Sequence, residues 1–398
     1  MKIVIIANFT RDFSETDNGR FLYLAKKLAA DGHRVELITN DFNHGRKERR
    51  KPVTAGYSFK VTLLHEPGYK KNVSIQRFNS HRIWGKNVRK YLETIDRPDV
   101  VYCAVPSLTG PGYAASYCRK NGIRFLIDIQ DLWPEAFQTV LHIPVLSSLL
   151  FYPFKRKADY VYSCADSICA VSETYTRRAL RVNPRCKTGT TVFLGTNVAL
   201  FDKYSQQTPL YIKPDGELWL AYCGTLGSSY DLTCVFDALL ILKEKGMNPK
   251  FIVMGNGPLQ EQFEQYAREN NIDTLFTGRL PYDQMCALLC TCDIAVNPIA
   301  HKAAQSITNK HGDYASSGLP VVSTQENEEY QALVDQYKMG FNCKNNDPDD
   351  LADKLEILLR DPELRRTMGA NARKCAEERF DREHSYELLI GQITKKGT

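Results

Sequence analysis

Short continuous apolar runs alternate along the chain with longer stretches in which apolar residues recur at helical spacing. Lys2–Ala7 is a β-branched run of the kind buried on both faces in a parallel sheet. A polar loop leads to Gly19, after which Phe21, Leu22, Leu24, Ala25, Leu28 and Ala29 follow a helical period. Asp31-Gly32-His33 ends that helix, Gly32 suiting a left-handed C-cap. Val35–Thr39 is a second strand and completes a βαβ unit, whose crossover is expected to be right-handed. The alternation predicts further strands at Asp99–Ala104, Arg124–Ile129, Ser167–Val171 and Thr190–Leu194, with a helix at Gly112–Asn121.

A second series opens at Leu218–Tyr222. It runs through helix Thr233–Lys245, strand Lys250–Met254, helix Leu259–Asn270, strand Thr274–Phe276, helix Tyr282–Cys290 and strands Ile294–Asn297 and Pro320–Ser323. Residues 195–215 are polar and contain Pro209 and Pro214, a composition that suits a linker. The reading is an α/β chain of two doubly wound, Rossmann-like domains, 1–200 and 201–380, with a last helix in 381–398 expected to return to the first. Ligands of open α/β sheets bind beyond the carboxyl ends of the strands. Two such domains facing one another would set a cleft between those ends.

Composition narrows this. A length of 398 residues suits two domains, and 43% hydrophobic with 11% aromatic residues excludes wholesale disorder. The opening apolar run is too short for a signal peptide, and no stretch reaches the ~18 apolar residues of a membrane span. A cytoplasmic protein is expected. The formal charge of +6 is unevenly placed: residues 1–195 hold 31 Lys/Arg against 17 Asp/Glu, and residues 196–398 hold 21 against 29. The basic half points to a polyanion or an anionic membrane surface. Nucleic acid is disfavoured, because no recognised binding motif accompanies the charge. Twelve cysteines are scattered through apolar runs; Cys286, Cys290 and Cys292 read as buried free thiols on a helix, with no second cluster to complete a zinc set, so no metal is expected.

An ordered series of short motifs carries a family likeness. It includes Asn18-Gly19, Asp131-Leu132-Trp133-Pro134-Glu135, the run Ala165–Glu173, Gly195-Thr196-Asn197, Gly224-Thr225-Leu226-Gly227 and Gly255-Asn256-Gly257-Pro258. It ends with Gly278-Arg279-Leu280-Pro281, and Lys310–Tyr314 before Gly318–Val322. The chain resembles glycosyltransferase family 4, the retaining GT-B enzymes, and within it the bacterial members that build O-antigen and capsular polysaccharides. The resemblance implies a GT-B fold. It implies transfer of a hexosyl or N-acetylhexosaminyl group from a nucleotide-diphosphate sugar, with uridine the expected base. The acceptor would be a glycan or a polyprenyl-diphosphate-linked sugar, and no cofactor or metal is needed.

The family's central motif is a glutamate, seven residues and a second glutamate. Here those positions are Gln305 and Asp313. Asp313 keeps a carboxylate that could accept two ribose hydroxyls. Gln305 keeps hydrogen-bonding capacity for the donor sugar but not charge. Lys310 lies three residues before Asp313, on the same helical face, where the resemblance implies contact with the leaving diphosphate. The amides of Ser306, Ile307, Thr308 and Asn309 would share that charge at a helix start. Many members carry Arg and Lys after the first strand of the second domain; this chain has Thr225, Ser228, Ser229 and Tyr230, so Lys310 must do more. Gly224, Gly227, Gly255 and Gly257 permit close backbone approach to a donor, or serve tight turns. Arg279 and Leu280 lie where members read the base.

In the first domain Gly19 opens a helix after a strand, an anion or sugar site. Asp17, Asn18, Gly19 and Arg20 are candidates for acceptor or phosphate contacts. Gln130 stands where many members have a histidine near the donor sugar, and Asp131 is either an orienting group for the acceptor hydroxyl or a carboxylate capping its own turn. Front-face attack, with the leaving diphosphate taking the acceptor proton, needs no protein nucleophile.

Leu146–Lys157 sets Leu149, Leu150, Phe151, Tyr152 and Phe154 against Lys155, Arg156 and Lys157, with basic runs at Arg46–Lys51 and Lys70-Lys71. Apolar anchors beside basic residues suit peripheral contact with anionic lipid at the inner face of a membrane. Two other readings stay open: a UDP-sugar 2-epimerase of the same fold, and a non-catalytic nucleotide-sugar-binding partner.

Overall fold

A computed structural model describes the chain except residues 12, 14–18, 54–55, 73, 139–143, 302, 304–306 and 396–398, and the side chains of 137–138 and 144–150. The chain forms two compact units: Met1–Phe193 with Tyr386–Thr398, and Leu194–Ser385.

Unit 1 is built on a seven-stranded parallel sheet. In chain order its strands are β1 (Lys2–Ile6), β2 (Arg34–Asn40), β3 (Lys60–Leu64), β4 (Val100–Val105), β5 (Arg124–Ile129), β6 (Ser167–Ala170) and β7 (Thr190–Thr191), and in the sheet they run β3-β2-β1-β4-β5-β6-β7. Ile3, Val4, Ile5 and Ile6 are fully buried, as expected of a strand covered on both faces. The core is closed by helix Arg20–Ala30 and by Tyr386, Leu389 and Ile393 near the chain's end. The final segment is two short helices, Arg382–Ser385 and Glu387–Thr394, where the periodicity predicted one.

Unit 2 has a six-stranded parallel sheet: β8 (Trp219–Cys223), β9 (Lys250–Met254), β10 (Thr274–Gly278), β11 (Ile294–Asn297), β12 (Val321–Ser323) and β13 (Gly340–Asn342), ordered β10-β9-β8-β11-β12-β13. Both sheets thus share one order, with the first and fourth strands adjacent, which is the arrangement of dinucleotide-binding folds. The chain enters and leaves unit 2 at one place: Thr196 N–H donates to Phe380 O, and Arg382 donates to the carbonyls of Leu194 and Gly195. A Cβ on Gly195, where φ is +62°, would lie 2.4 Å from Phe380 O.

Three expectations change. Residues 195–215 are not all linker, because Asn197 caps a helix over Val198–Ser205 that buries Phe201. The edge strands β3 and β13 were not foreseen. The basic run Arg46–Lys51 is not one surface patch: Arg50 is buried and donates to the carbonyls of Thr10 and Arg11, while Arg49 pairs with Asp41. Among the described residues no helix is long and apolar enough to cross a membrane.

Candidate active site

The switch point of unit 2 lies between β8 and β11, and helix Asn309–Ser316 is pinned to both. Cys223 N–H donates to Tyr314 OH (2.8 Å), which donates to Val296 O (3.3 Å). One turn earlier on that helix, Lys310 is buried, with Nζ 4.0 Å from the centroid of the Tyr230 ring and 5.2 Å from that of Tyr222. Nζ is buried and has no hydrogen-bond partner. Cation–π contact is worth roughly 0.5–2 kcal/mol, which does not replace the hydration of an ammonium. Burial accordingly pushes Lys310 down to about 7. An anion at Nζ would satisfy the donor and restore the charge.

Asp313, one turn further on, is also buried. Its Oδ1 accepts from Thr196 Oγ1 (3.0 Å) and Tyr282 OH (2.8 Å), so this oxygen is already engaged within unit 2. The helix start is set by His311. Thr308 N–H donates to His311 Nδ1 (2.9 Å), so the ring proton sits on Nε2 and is given to Gln325 Oε1 (2.7 Å). Burial, and then Lys310, hold His311 at about 3, so the ring is neutral. This corrects the reading of Thr308, whose amide is committed to His311 and does not offer its N–H to a phosphate. Ile307 is fully buried and Asn309 is the first helical residue. Gln305 and Ser306 lie outside the described residues.

The glycines of the two loops after β8 and β9 serve each other. A Cβ on Gly255 would stand 1.8 Å from Gly224 O, and one on Gly257 2.2 Å from Leu226 O. Leu226 N–H donates to Asn256 O and Leu259 N–H to Leu226 O, which locks the loops together. Gly227 is different: it is buried, but a Cβ there would meet Thr225 and Pro258 only at ordinary contact distances, 3.7 and 4.0 Å. Thr225 and Arg279 are exposed and Leu280 half-buried.

In unit 1, Asp17 and Asn18 lie outside the described residues. Gly19 caps helix Arg20–Ala30 without a side-chain bond. Arg20 is corrected from an acceptor candidate to a structural residue. Its buried guanidinium forks onto Asp128 (2.7 and 3.1 Å) and donates to Val192 O, Phe193 O and Tyr386 OH. Gln130 Nε2 donates to the same Asp128 (3.1 Å). Asp131 caps its own turn, accepting from Leu132 N–H (2.9 Å) and Trp133 Nε1–H (3.2 Å); burial raises its carboxyl above the usual range. Tyr222, Tyr230, Tyr282 and His311 were not singled out as site residues from sequence. Tyr222 is hidden in the apolar run of β8, and no periodic signal marks the others.

Among the described residues no group of three or more His, Cys, Asp or Glu is placed to hold a metal. The expectation of three buried thiols on one helix is corrected: Cys286 and Cys292 are buried but Cys290 is exposed, and only Cys286 lies within helix Tyr282–Leu289.

Two family models match: Glycosyltransferase Family 4 over residues 20–188 and Glycosyl transferases group 1 over residues 208–375. An uncharacterized glycosyltransferase of Methanocaldococcus jannaschii is 26% identical over 39% of this chain and 42% of its own length, so the chain matches less than half of that relative. The capsular polysaccharide biosynthesis glycosyltransferase CapM of Staphylococcus aureus is 22% identical over 74% of this chain and 76% of its own. In fold, the chain is similar to Alr3699/HepE of Anabaena, solved in complex with UDP-glucose, with a TM-score of 0.70, 15% identity and 99% of each chain covered. With one glycosyltransferase model on each doubly wound unit, the chain belongs to the family 4 and group 1 glycosyltransferases of the GT-B type.

Proposed function

We propose that the protein moves a sugar from a nucleotide-diphosphate donor, a UDP-sugar, to a glycan or polyprenyl-diphosphate-linked acceptor in bacterial surface polysaccharide synthesis, with retention at the anomeric carbon. The observation that carries this is Lys310, a buried ammonium with no hydrogen-bond partner, held at the switch point of unit 2. In this reading a diphosphate occupies Nζ, and the charge that develops as the sugar leaves is stabilised there. The bound UDP-glucose of the Anabaena protein and the capsular role named for CapM support the donor and the pathway class. The acceptor hydroxyl gives its proton to the leaving diphosphate. The protein positions the two substrates, and no metal is invoked. Gln130, Asp131 and Gln305 are kept as sugar-side candidates, and Asp313, Gly227, Arg279 and Leu280 as donor contacts. Tyr152 and Lys155, Arg156 and Lys157, all exposed on helix Pro144–Cys164, support peripheral contact with anionic lipid on the cytoplasmic face.

A thermal-shift series with UDP, GDP and TDP tests the donor half. UDP is expected to raise the melting temperature by mass action, and Lys310→Ala to abolish the rise. A response to none of the three nucleotides would sink the reading. Consumption of donor without any acceptor would favour the 2-epimerase alternative instead.

A further inference from the structure

Unit 1 holds a second cluster of charged and polar groups, apart from Arg20 and Asp128, in which Glu66 and His81 are buried and His44, Lys47 and Arg77 half-buried. It lies past the carboxyl ends of three neighbouring strands. Phe9 follows β1, His44 and Lys47 follow β2, Glu66 and Tyr69 follow β3, and Arg77 and His81 come from helix Ile75–Leu92. The Arg77 guanidinium lies 4.7 Å from the centroid of the Trp133 ring, 5.6 Å from Tyr69 and 5.7 Å from Phe9. Its Nη1 donates to Asn72 O (2.9 Å), while its Nε is buried without a hydrogen-bond partner. Lys47 Nζ lies 4.7 Å from the centroid of Tyr69 and donates to Asn72 Oδ1 (2.5 Å) and His44 Nδ1 (3.1 Å). An ammonium can only donate, so His44 Nδ1 is bare and its ring proton sits on Nε2. His81 is 3% exposed, stacks on Trp133 and has no hydrogen-bond partner at either nitrogen.

The carboxylate buried within the group, Glu66, lies 3.7 Å from His81 Nε2 through Oε1 but makes no ion pair with Arg77 or Lys47. Glu66 Oε2 accepts from Asn8 and Asn40, and its Oε1 accepts from Ser80. Asp131, the other acid facing Arg77, has both oxygens engaged in its own turn.

We propose that this cluster is a site for a phosphate or diphosphate group. Arg77, Lys47 and the Nε2–H of His44 are its donors, and Phe9, Tyr69 and Trp133 its walls. The guanidinium offers its unpartnered Nε–H and the ammonium a point charge, a pairing that suits phosphate oxygens. Without an anion the site is frustrated. Burial and Arg77 push Lys47 down to about 8, burial pushes Arg77 below its ordinary value, and burial with the neighbouring cations holds His44 and His81 at about 3. A bound phosphate relieves the repulsion between the two cations. Ile75 stands 88% exposed two residues before Arg77, with Lys70 and Lys71 exposed nearby, a rim that suits the first isoprene of a lipid diphosphate. The inference deepens the acceptor half of the proposed function and rests on it for the source of the group, not for the binding of an anion.

The test is calorimetric titration of the full chain, saturated with UDP so that the Lys310 site is filled, with inorganic pyrophosphate and with farnesyl diphosphate. Both probes are expected to bind. Arg77→Gln and Lys47→Gln should each weaken both at least tenfold while leaving the UDP-induced melting shift intact. Arg77→Lys, which keeps the charge and most of the packing, should weaken them less. Tighter binding of farnesyl diphosphate assigns the group to a lipid-linked acceptor, and equal binding to a soluble phosphorylated one. No binding of either probe, or affinities unmoved by both Gln variants, overturns the site and leaves Arg77 as a packing cation. A protein that ignores UDP yet binds pyrophosphate through Arg77 sinks the donor reading and leaves this one standing.

Discussion

Lys310 shows how a single residue can be set against its surroundings. Its unfolded-state pKa is about 10.4, while burial holds it near 7 in the folded chain. Between those values the unfolded chain binds more protons, so the stability governed by this position rises with pH. Below about pH 7 the full cost of burying the charge is present, and above about pH 10 it is gone. Lys310→Met keeps the volume and the contacts with Tyr222 and Tyr230 but removes the charge. The variant is expected to melt above the parent at pH 6, with the gap closing towards pH 10, and to lose its response to UDP. Thermal scans at pH 6, 8 and 10, with and without UDP, read both effects. A variant less stable than the parent at pH 6 would show that the ammonium is satisfied where it lies.

At the scale of elements, the loops after β8 and β9 test close packing against ligand contact. Gly257→Ala puts a Cβ 2.2 Å from a backbone oxygen that cannot give way without moving the loop, whereas Gly227→Ala meets ordinary contact distances. Gly257→Ala is therefore expected to cost several kcal/mol, within the ~1–3 kcal/mol typical of overpacking or somewhat above it, and Gly227→Ala to leave stability unchanged. Denaturant unfolding of the two variants distinguishes them. If Gly227→Ala still weakens UDP binding, the ligand approaches the backbone at that glycine. The same contrast explains what sequence could show. Strands such as Lys2–Ile6 and Lys250–Met254 were legible because central parallel strands are buried on both faces and read as apolar runs. Edge strands Lys60–Leu64 and Gly340–Asn342 pair on one side only and are half-buried, so their residues carry no such run. Helix Ile75–Leu92 buries Trp84, Val88 and Leu92 but spreads Arg and Lys around the remaining faces, which blurs its period. In the candidate site, Lys310 and Asp313 were singled out by the family resemblance. The rings over Lys310 were not, because Tyr222 belongs to a strand and Tyr230 to a loop, and only the fold makes them neighbours.

For the molecule as a whole, the division of the chain makes a prediction that neither unit makes alone. Unit 2 is one continuous stretch, Leu194–Ser385, but unit 1 needs the chain's last residues. Tyr386, Leu389 and Ile393 are fully buried in the unit 1 core, and Tyr386 OH accepts from Arg20. Arg124 donates to the carbonyls of Gln392, Ile393 and Lys395. A chain ending at Ser385 therefore exposes three large apolar side chains' worth of core and strips one acceptor from a buried guanidinium. Each lost side chain is worth roughly 1.5–3 kcal/mol of burial, a large share of the ~5–15 kcal/mol by which a domain is stable. The truncated protein is expected to show fast amide exchange throughout residues 1–193, with exchange in 194–385 and its protection by UDP unchanged. Hydrogen exchange read by peptide mass resolves the two units in one experiment. Equal loss of protection in both would mean that the units unfold together and that the last helix stabilises unit 2 as much as unit 1. Loss confined to the first would mean that unit 2 folds and binds UDP by itself, and that Tyr386, Leu389 and Ile393 serve to complete unit 1.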